Sequence, residues 1–269
     1  MVLISPGLAG AAAQRAYRGP MPITFAHPAA VLPLARARLP LSALAIGSMV
    51  PDLPLFVGRE EWYATTHGPL GVFLIDVLVG SLLVGLWVLV LKDPMVDVLP
   101  ALLRRRVGSP APYSSRDWWL TAPAVCLGAV THVIWDAFTH PNRWGDQHIA
   151  WLAQSYGGVL VSTWLHGASS VLGSVVLGWV VVRALARAEE RAIAEQRLPR
   201  WAATVAGGVV VLVVVATGAT SVGSSLWIGA YNVAVNGISA TAVVVLVLAA
   251  AWHAAGLSPR SAPRRRSPS

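Results

Sequence analysis

The chain has 269 residues, of which 55% are hydrophobic and only 12% charged, with a mean hydropathy of +0.62. A soluble domain of this size carries about a quarter charged residues, so the composition excludes an ordinary soluble globule and points to an integral membrane protein. The net charge of +8 is almost all arginine, but those arginines sit in short loops between apolar runs, so they read as topology determinants and no nucleic-acid partner is expected. The one cysteine, Cys126, excludes an intramolecular disulfide and a cysteine-based zinc cluster.

Residues 1–20 lack a basic n-region, and their apolar stretch is broken by Pro6 and Gly7, so they make a poor signal peptide. They read as a disordered extension, or as a start placed too early with Met21 as the natural start. In residues 21–57, His27-Pro28 precedes a short apolar helix ending near Leu34, where Arg36 and Arg38 interrupt it. A second apolar run, Leu41 to Val50, stops at Pro51-Asp52. Neither run reaches the roughly 20 residues a span requires, so both read as short helices packed on the bundle or entering it partway. A single crossing from Leu39 to Val57 is the alternative, opposed by Pro51, Asp52 and Pro54.

Five runs of spanning length follow. Gly68 to Leu91 contains Asp76, Trp118 to Phe138 contains His132 and Asp136, and Val159 to Val182 contains His166. Trp201 to about Val222 and Tyr231 to Trp252 have no ionisable residue inside them and read as scaffold. The expected fold is an all-α, polytopic membrane helix bundle of about five transmembrane helices plus short N-terminal helices. By segment, 1–20 is the extension, 21–182 carries the short helices and three polar spans, and 183–200 is a basic loop. Residues 201–252 are two scaffold spans, and 253–269 are a disordered basic tail.

Loop 92–117 carries Lys92, Arg104, Arg105, Arg106 and Arg116, and loop 183–200 carries Arg183, Arg187, Arg191, Arg197 and Arg200. With five crossings both fall on the same side as the tail, while the opposite loops 139–158 and 223–230 hold only Arg143. The positive-inside rule places the basic loops and tail in the cytoplasm of a multi-pass cell-membrane protein. Arg36, Arg38 and Arg59 are discordant unless Leu39 to Val57 crosses. Tryptophans cluster at both ends of the runs, Trp87 and Trp179 at one and Trp135, Trp151, Trp164 and Trp227 at the other, as two interfacial belts.

On this topology the His and Asp residues gather at one end. THVIWDAFTH spaces His132, Asp136 and His140 by four residues, which puts them on one helical face. His67 lies just outside the first run, Asp76 roughly 13 Å further in, and His166 about 10 Å into the third run at helical rise. Asp52 and His27 precede the first run, and of the histidines only His253 sits at the arginine-rich end. Imidazole nitrogen with carboxylate oxygen suits Zn²⁺ and related divalent ions, and such an ion would neutralise buried carboxylates and ionise water for hydrolysis near neutral pH.

Each residue also has a structural reading. His132 and Asp136 form a pair that ties helices together, Asp52 caps a helix, His67 is interfacial, His166 bonds a neighbouring helix, and His27 caps the helix after Pro28. Asp76 supports ligands rather than ligating directly, His148 is solvent-exposed and His253 is interfacial. A proton or ion carrier would need polar residues continuing to the arginine-rich end, and they do not.

Taken in order, MPITFAHPAAVLPL, IGSMVPDLPLF, HGPLGVFLIDVLVG, THVIWDAFTH and LHGASSVLG resemble the bacterial membrane family called domain of unknown function 4184, over about Met21 to Leu177. The resemblance implies Met21 as the start and carries no known activity. More distantly, the chain is similar to YdjM-type membrane-bound metal-dependent hydrolases, and beyond them to zinc-dependent phospholipase C and related single-strand nucleases. Those soluble enzymes bind metals through an HxxxD pair on a helix with further His and Asp before and after it. The resemblance matches His132 and Asp136 to the pair and Asp52 and His67 to the upstream residues, with His27 and His166 as looser matches. Those enzymes hold several clustered zinc ions, with more ligands than these matches supply.

The expectation is therefore a membrane-bound, zinc-type metal-dependent hydrolase, acting on a phosphoester or lipid-linked substrate. His132 and Asp136 are the catalytic pair; His27, Asp52, His67, His132, Asp136, His140 and His166 are the metal ligands; Asp76 stands behind them. The alternative is a non-enzymatic membrane protein with a structural polar core or a partner-binding role.

Overall fold

A computed structural model describes residues 24–108, 112–191, 196–224 and 226–257. The expected extension at 1–20, the start at Met21, the tail beyond residue 257 and the side chain of Trp227 lie outside the described residues.

The protein is an all-α multi-pass membrane bundle. Five helices are long and apolar enough to cross: Gly71–Asp97, Ser115–Thr139, Val161–Arg187, Trp201–Thr220 and Tyr231–Gly256. These are the first to fifth spans below. Their outward surfaces are apolar; Leu78, Leu82, Val171, Val175, Leu212 and Val215 are all exposed. Such a surface is tolerable against lipid and would aggregate in water. The buried core is small, formed by Val31, Ala43, Leu44, Val84, Val88, Ala124 and Val125.

The segment before the first span is not among the helices long and apolar enough to cross. Thr24–Ala37 is a 14-residue 3₁₀ helix containing Pro28 and Pro33. Neither proline has an N–H to give to an α-helical ladder, and the tighter winding needs fewer such bonds. It runs past Leu34 to Ala37 and stops at Arg38, whose φ is 56°. Then come Leu41–Gly47, a 3₁₀ turn at Val50–Asp52, and a single turn at Leu53–Phe56. The break at Pro51 keeps this stretch from becoming one continuous rod.

One close crossing fixes this broken segment. Leu41–Gly47 lies across the second span where Gly47 faces Val125 and Gly128 faces Leu44 and Ser48. A Cβ on Gly47 would collide with the Val125 backbone, and one on Gly128 with the Leu44 carbonyl. Two glycines thus let backbone touch backbone, as small residues do between membrane helices. The crossing carries Ser48 and Asp52 to the side of the second span that bears His132.

Two of the boundary shifts from the hydropathy reading have a local cause. The first span runs on through Lys92-Asp93-Pro94 to Asp97, because helix continues where apolarity ends. The third begins at Val161, because Gly157 and Gly158, both at positive φ, turn a short antiparallel hairpin of Ser155–Tyr156 with Val159–Leu160. At the arginine-rich end, Asp97 accepts the N–H groups of Arg197 and Leu198, and Arg106 donates to the Leu185 carbonyl. The fifth span docks through Ser239 to the Phe56 carbonyl and through His253 to the Val90 carbonyl. His253 therefore bridges two helices.

Gly47→Ala is expected to lower stability by about 1–3 kcal/mol, the cost of forcing an extra carbon into a tight packing site. Gly207→Ala, in the fourth span with open space around it, should leave the melting transition where it is. Thermal unfolding of both variants in detergent checks the contrast; equal midpoints would show that the crossing is not tight.

Candidate metal centre

Four side chains from three parts of the chain meet at one end of the bundle. Asp52 comes from the 3₁₀ turn Val50–Asp52, and His67 from the turn ending Tyr63–Thr66. His132 and Asp136 come from the last two turns of the second span. All four are buried, and one ligand atom from each lies within 4.8 Å of the other three.

The separations are informative. His67 Nε2 is 3.3 Å from His132 Nε2, 3.4 Å from Asp136 Oδ2 and 3.7 Å from Asp52 Oδ1. His132 Nε2 is 3.4 Å from Asp52 Oδ1 and 3.3 Å from Asp136 Oδ2. A tetrahedral ion with ligands at about 2.0–2.1 Å sets its donor atoms about 3.3–3.4 Å apart. Direct hydrogen bonds between the same groups would be shorter, about 2.7–2.9 Å.

The outer ring nitrogens decide the tautomers. His132 Nδ1 lies 2.8 Å from the Ser48 carbonyl, and His67 Nδ1 lies 2.9 Å from the Tyr63 carbonyl. A carbonyl only accepts, so each Nδ1 carries a proton and donates it. In the neutral imidazoles, each Nε2 then presents a lone pair inward. Two such nitrogens and two carboxylate oxygens make a cluster of acceptors facing one another, an arrangement that calls for a cation or for added protons.

Further hydrogen bonds hold the carboxylates. Thr24 Oγ1 donates to Asp52 Oδ2 at 2.6 Å, and the Tyr63 hydroxyl donates to Asp136 Oδ2 at 3.3 Å. Asp52 is at the cap position of Leu53–Phe56 but makes no capping bond, so its carboxylate serves the cluster and not the helix. Burial pushes its pKa up, but His132 in its protonated form outweighs that and holds it at about 2.

The other expected residues lie beside this group of four. His27 stacks on His132 with ring centroids 3.9 Å apart, and its Nε2 is 3.7 Å from Asp136 Oδ1. Its Nδ1 makes no hydrogen bond among the described residues, so it does not cap the following helix. His140 Nδ1 is 3.3 Å from the same Asp136 oxygen, and the His140 and His166 rings lie 4.4 Å apart. Burial lowers the pKa of His27 to about 3, with His132 adding to the effect, and lowers that of His140 to about 4 against the pull of Asp136. Asp136 therefore faces the group of four with one oxygen and this histidine flank with the other. Asp76 is fully buried within electrostatic reach of His132, but its two oxygens make no hydrogen bond among the described residues. His67 is buried rather than interfacial, and His148 is exposed, stacked on Trp144.

Sequence reasoning missed Thr24, Ser48 and Tyr63. Thr24 sits three residues before His27, and Tyr63 four before His67, spacings that place each pair on one face of its helix. Ser48 contributes only a backbone carbonyl, which no residue pattern could signal. A cavity of about 180 Å³ opens beside the cluster, lined by His67, Val133, Asp136, Ala137, Arg143 and Trp144.

A model of the family described as Domain of unknown function (DUF4184) matches residues 21–257, which takes in all five spans. No curated protein and no solved structure matches the chain.

Thr24→Val keeps the shape of the side chain but leaves Asp52 Oδ2 without its hydroxyl donor. A loss of about 1.5–3 kcal/mol is expected, the range for a buried hydrogen bond to a charged group. Thr24→Ser, which keeps the hydroxyl, should recover most of it. Chemical denaturation of the purified protein distinguishes the two.

Proposed function

We propose that this chain, which belongs to the DUF4184 family, is a membrane-embedded metal-dependent hydrolase whose ion is held by Asp52, His67, His132 and Asp136. The observation that carries the reading is the convergence of four acceptor atoms within 4.8 Å of one another, the pairs that include a histidine lying 3.3–3.7 Å apart, with both imidazoles fixed by carbonyls behind them. Histidine ligands in metal sites are oriented in this way by an outer hydrogen bond. Two carboxylates and a divalent ion also sum to zero charge, which removes most of the cost of burying them.

Zinc fits the mixed nitrogen and oxygen donors and the near-tetrahedral spacing. Such an ion would polarise an ester oxygen and ionise water near neutral pH. The catalytic role of His132 and Asp136 is then to hold the ion. Catalytic zinc sites ordinarily use three protein ligands and an open position, so hydrolysis here would require one of the four residues to leave room for water. The cavity reaches His67 and Asp136, and entry from that side supports a reactive rather than a sealed site. His27 and His140 flank the second oxygen of Asp136 at 3.7 and 3.3 Å, and His166 stands behind His140. Asp76 stands behind the ligands, buried and without a hydrogen bond among the described residues. A phosphoester substrate, free or lipid-linked, suits a site near one end of the spans, and the arginine distribution supports the outer face for that end.

Metal analysis of full-length protein purified in detergent without added ions is the direct test. About one zinc-type ion per chain is expected, falling to background in His132→Ala. Metal-free wild-type protein, or undiminished content in His132→Ala, sinks the metal reading. Hydrolysis of bis(p-nitrophenyl) phosphate, stopped by a chelator and restored by Zn²⁺, tests the reaction. Tightly bound metal with no phosphoesterase activity would favour the alternative, a non-enzymatic protein whose ion or polar core is structural.

A further inference from the structure

The cavity beside the ligand group contains a positive charge that the metal reading leaves unused. Arg143 stands half-buried in its wall, with its guanidinium carbon 5.5 Å from the centroid of the Tyr63 ring. That ring lies 3.8 Å from the His67 ring, and its hydroxyl donates to Asp136 Oδ2. Tyr63 thus links the arginine to two of the four ligands. A cation–π interaction steadies the long side chain and occupies none of its five N–H donors.

Among the described residues, those donors have no other partner. Arg59 faces Glu61, Arg104 faces Asp97, and Arg105 and Arg106 face Glu190. Arg143 has no such carboxylate among the described residues. Asp146, three residues further on, accepts the backbone N–H of Asn142 instead. Once a divalent ion balances Asp52 and Asp136, Arg143 leaves the cavity with a net positive charge. The remaining walls, Val133, Ala137 and Trp144, are apolar. A guanidinium beside an ion and apolar walls is chemistry that receives an oxyanion carrying an apolar group. Guanidinium recognises phosphate by paired, charge-assisted hydrogen bonds.

We propose that Arg143 is the substrate-positioning residue of this site, and that it binds the non-bridging oxygens of an anionic phosphoester. The proposal rests on the metal reading above, because the ester is turned towards the ion. The phosphate group can belong to a lipid headgroup or to a free phosphate compound, since both present the same oxygens.

Full-length protein in detergent, loaded with Co²⁺ as a spectroscopic stand-in, tests this. Its visible absorption is followed during titration with inorganic phosphate, and separately with micellar dihexanoyl phosphatidic acid. Wild-type protein should show a saturating change with at least one probe. Arg143→Gln should retain its cobalt but need about tenfold more of that probe, the weakening that follows from removing one charge-assisted hydrogen bond. Arg143→Lys, which keeps the charge but not the planar fork, should fall between. A response to phosphatidic acid alone identifies a headgroup, and a response to phosphate alone identifies a free compound. If Arg143→Gln fails to fold, weaker binding by Arg143→Lys carries the test. Full cobalt content with wild-type titration in the variants, or with no response from wild-type protein to either probe, overturns this proposal and leaves the metal reading standing. Wild-type protein that holds no cobalt overturns both.

Discussion

The structure turns on placing two carboxylates and two imidazoles in one buried space. Asp52 and Asp136 lie with almost no exposed surface, and His67 and His132 are buried with them. An isolated carboxylate moved from water to such surroundings costs several kcal/mol, and here two stand close together. Something positive must balance them. Protons on the histidines would do so in part, but each Nδ1 is already committed to a carbonyl. The balancing charge therefore has to sit on the inward side, where the four atoms meet. The spacing of those atoms matches donors around a small ion better than donors sharing protons.

The broken N-terminal segment makes this possible. A continuous helix from Leu41 to Phe56 would carry Asp52 past the second span at an angle set by packing alone. Pro51 stops the helix, the 3₁₀ turn redirects it, and the Gly47–Gly128 crossing brings the chain close enough for the Ser48 carbonyl to receive His132. The same logic holds for Thr24–Ala37. Its 3₁₀ winding puts Thr24 and His27 on one face, so the hydroxyl reaches Asp52 while the imidazole covers His132. Irregular backbone at this depth is tolerable because its side chains and the neighbouring spans satisfy its polar groups.

The bundle was legible in the sequence because apolar runs of spanning length leave few alternatives. Within the candidate site, His132 and Asp136 were legible because four-residue spacing on a helix is local information. Asp52 and His67 were visible as residues, but nothing local said that they would meet His132 while His27, His140 and His166 would gather on the far side of Asp136. That division depends on which carboxylate oxygen faces which way, a consequence of helix crossing. Asp52 does stand in a turn and at a cap position, but its carboxylate faces the cluster, and His67 is buried against it. The cap and interfacial readings rest on local propensity, whereas tertiary packing decides where these side chains point. Arg143 was counted for topology alone, since its place over Tyr63 depends on a loop folding back across the bundle end.

The polar residues stop short of the other end. Towards the arginine-rich side, the centre of the bundle is filled by Val31, Ala43, Leu44, Val84, Val88, Ala124 and Val125. A carrier for protons or ions would need titratable groups or carbonyls along that axis, since each unsatisfied charge in an apolar core is heavily penalised. Asp76 is the carboxyl that extends inward, and it ends against this apolar layer rather than beginning a relay. The fourth and fifth spans bring no ionisable side chain to the cluster among the described residues, yet the fifth covers the flank, where Tyr231 reaches Glu60 and Ser239 reaches Phe56. An apolar floor, a covered flank and a cavity meeting two ligands confine the polar groups to one end of the bundle rather than lining a path along it.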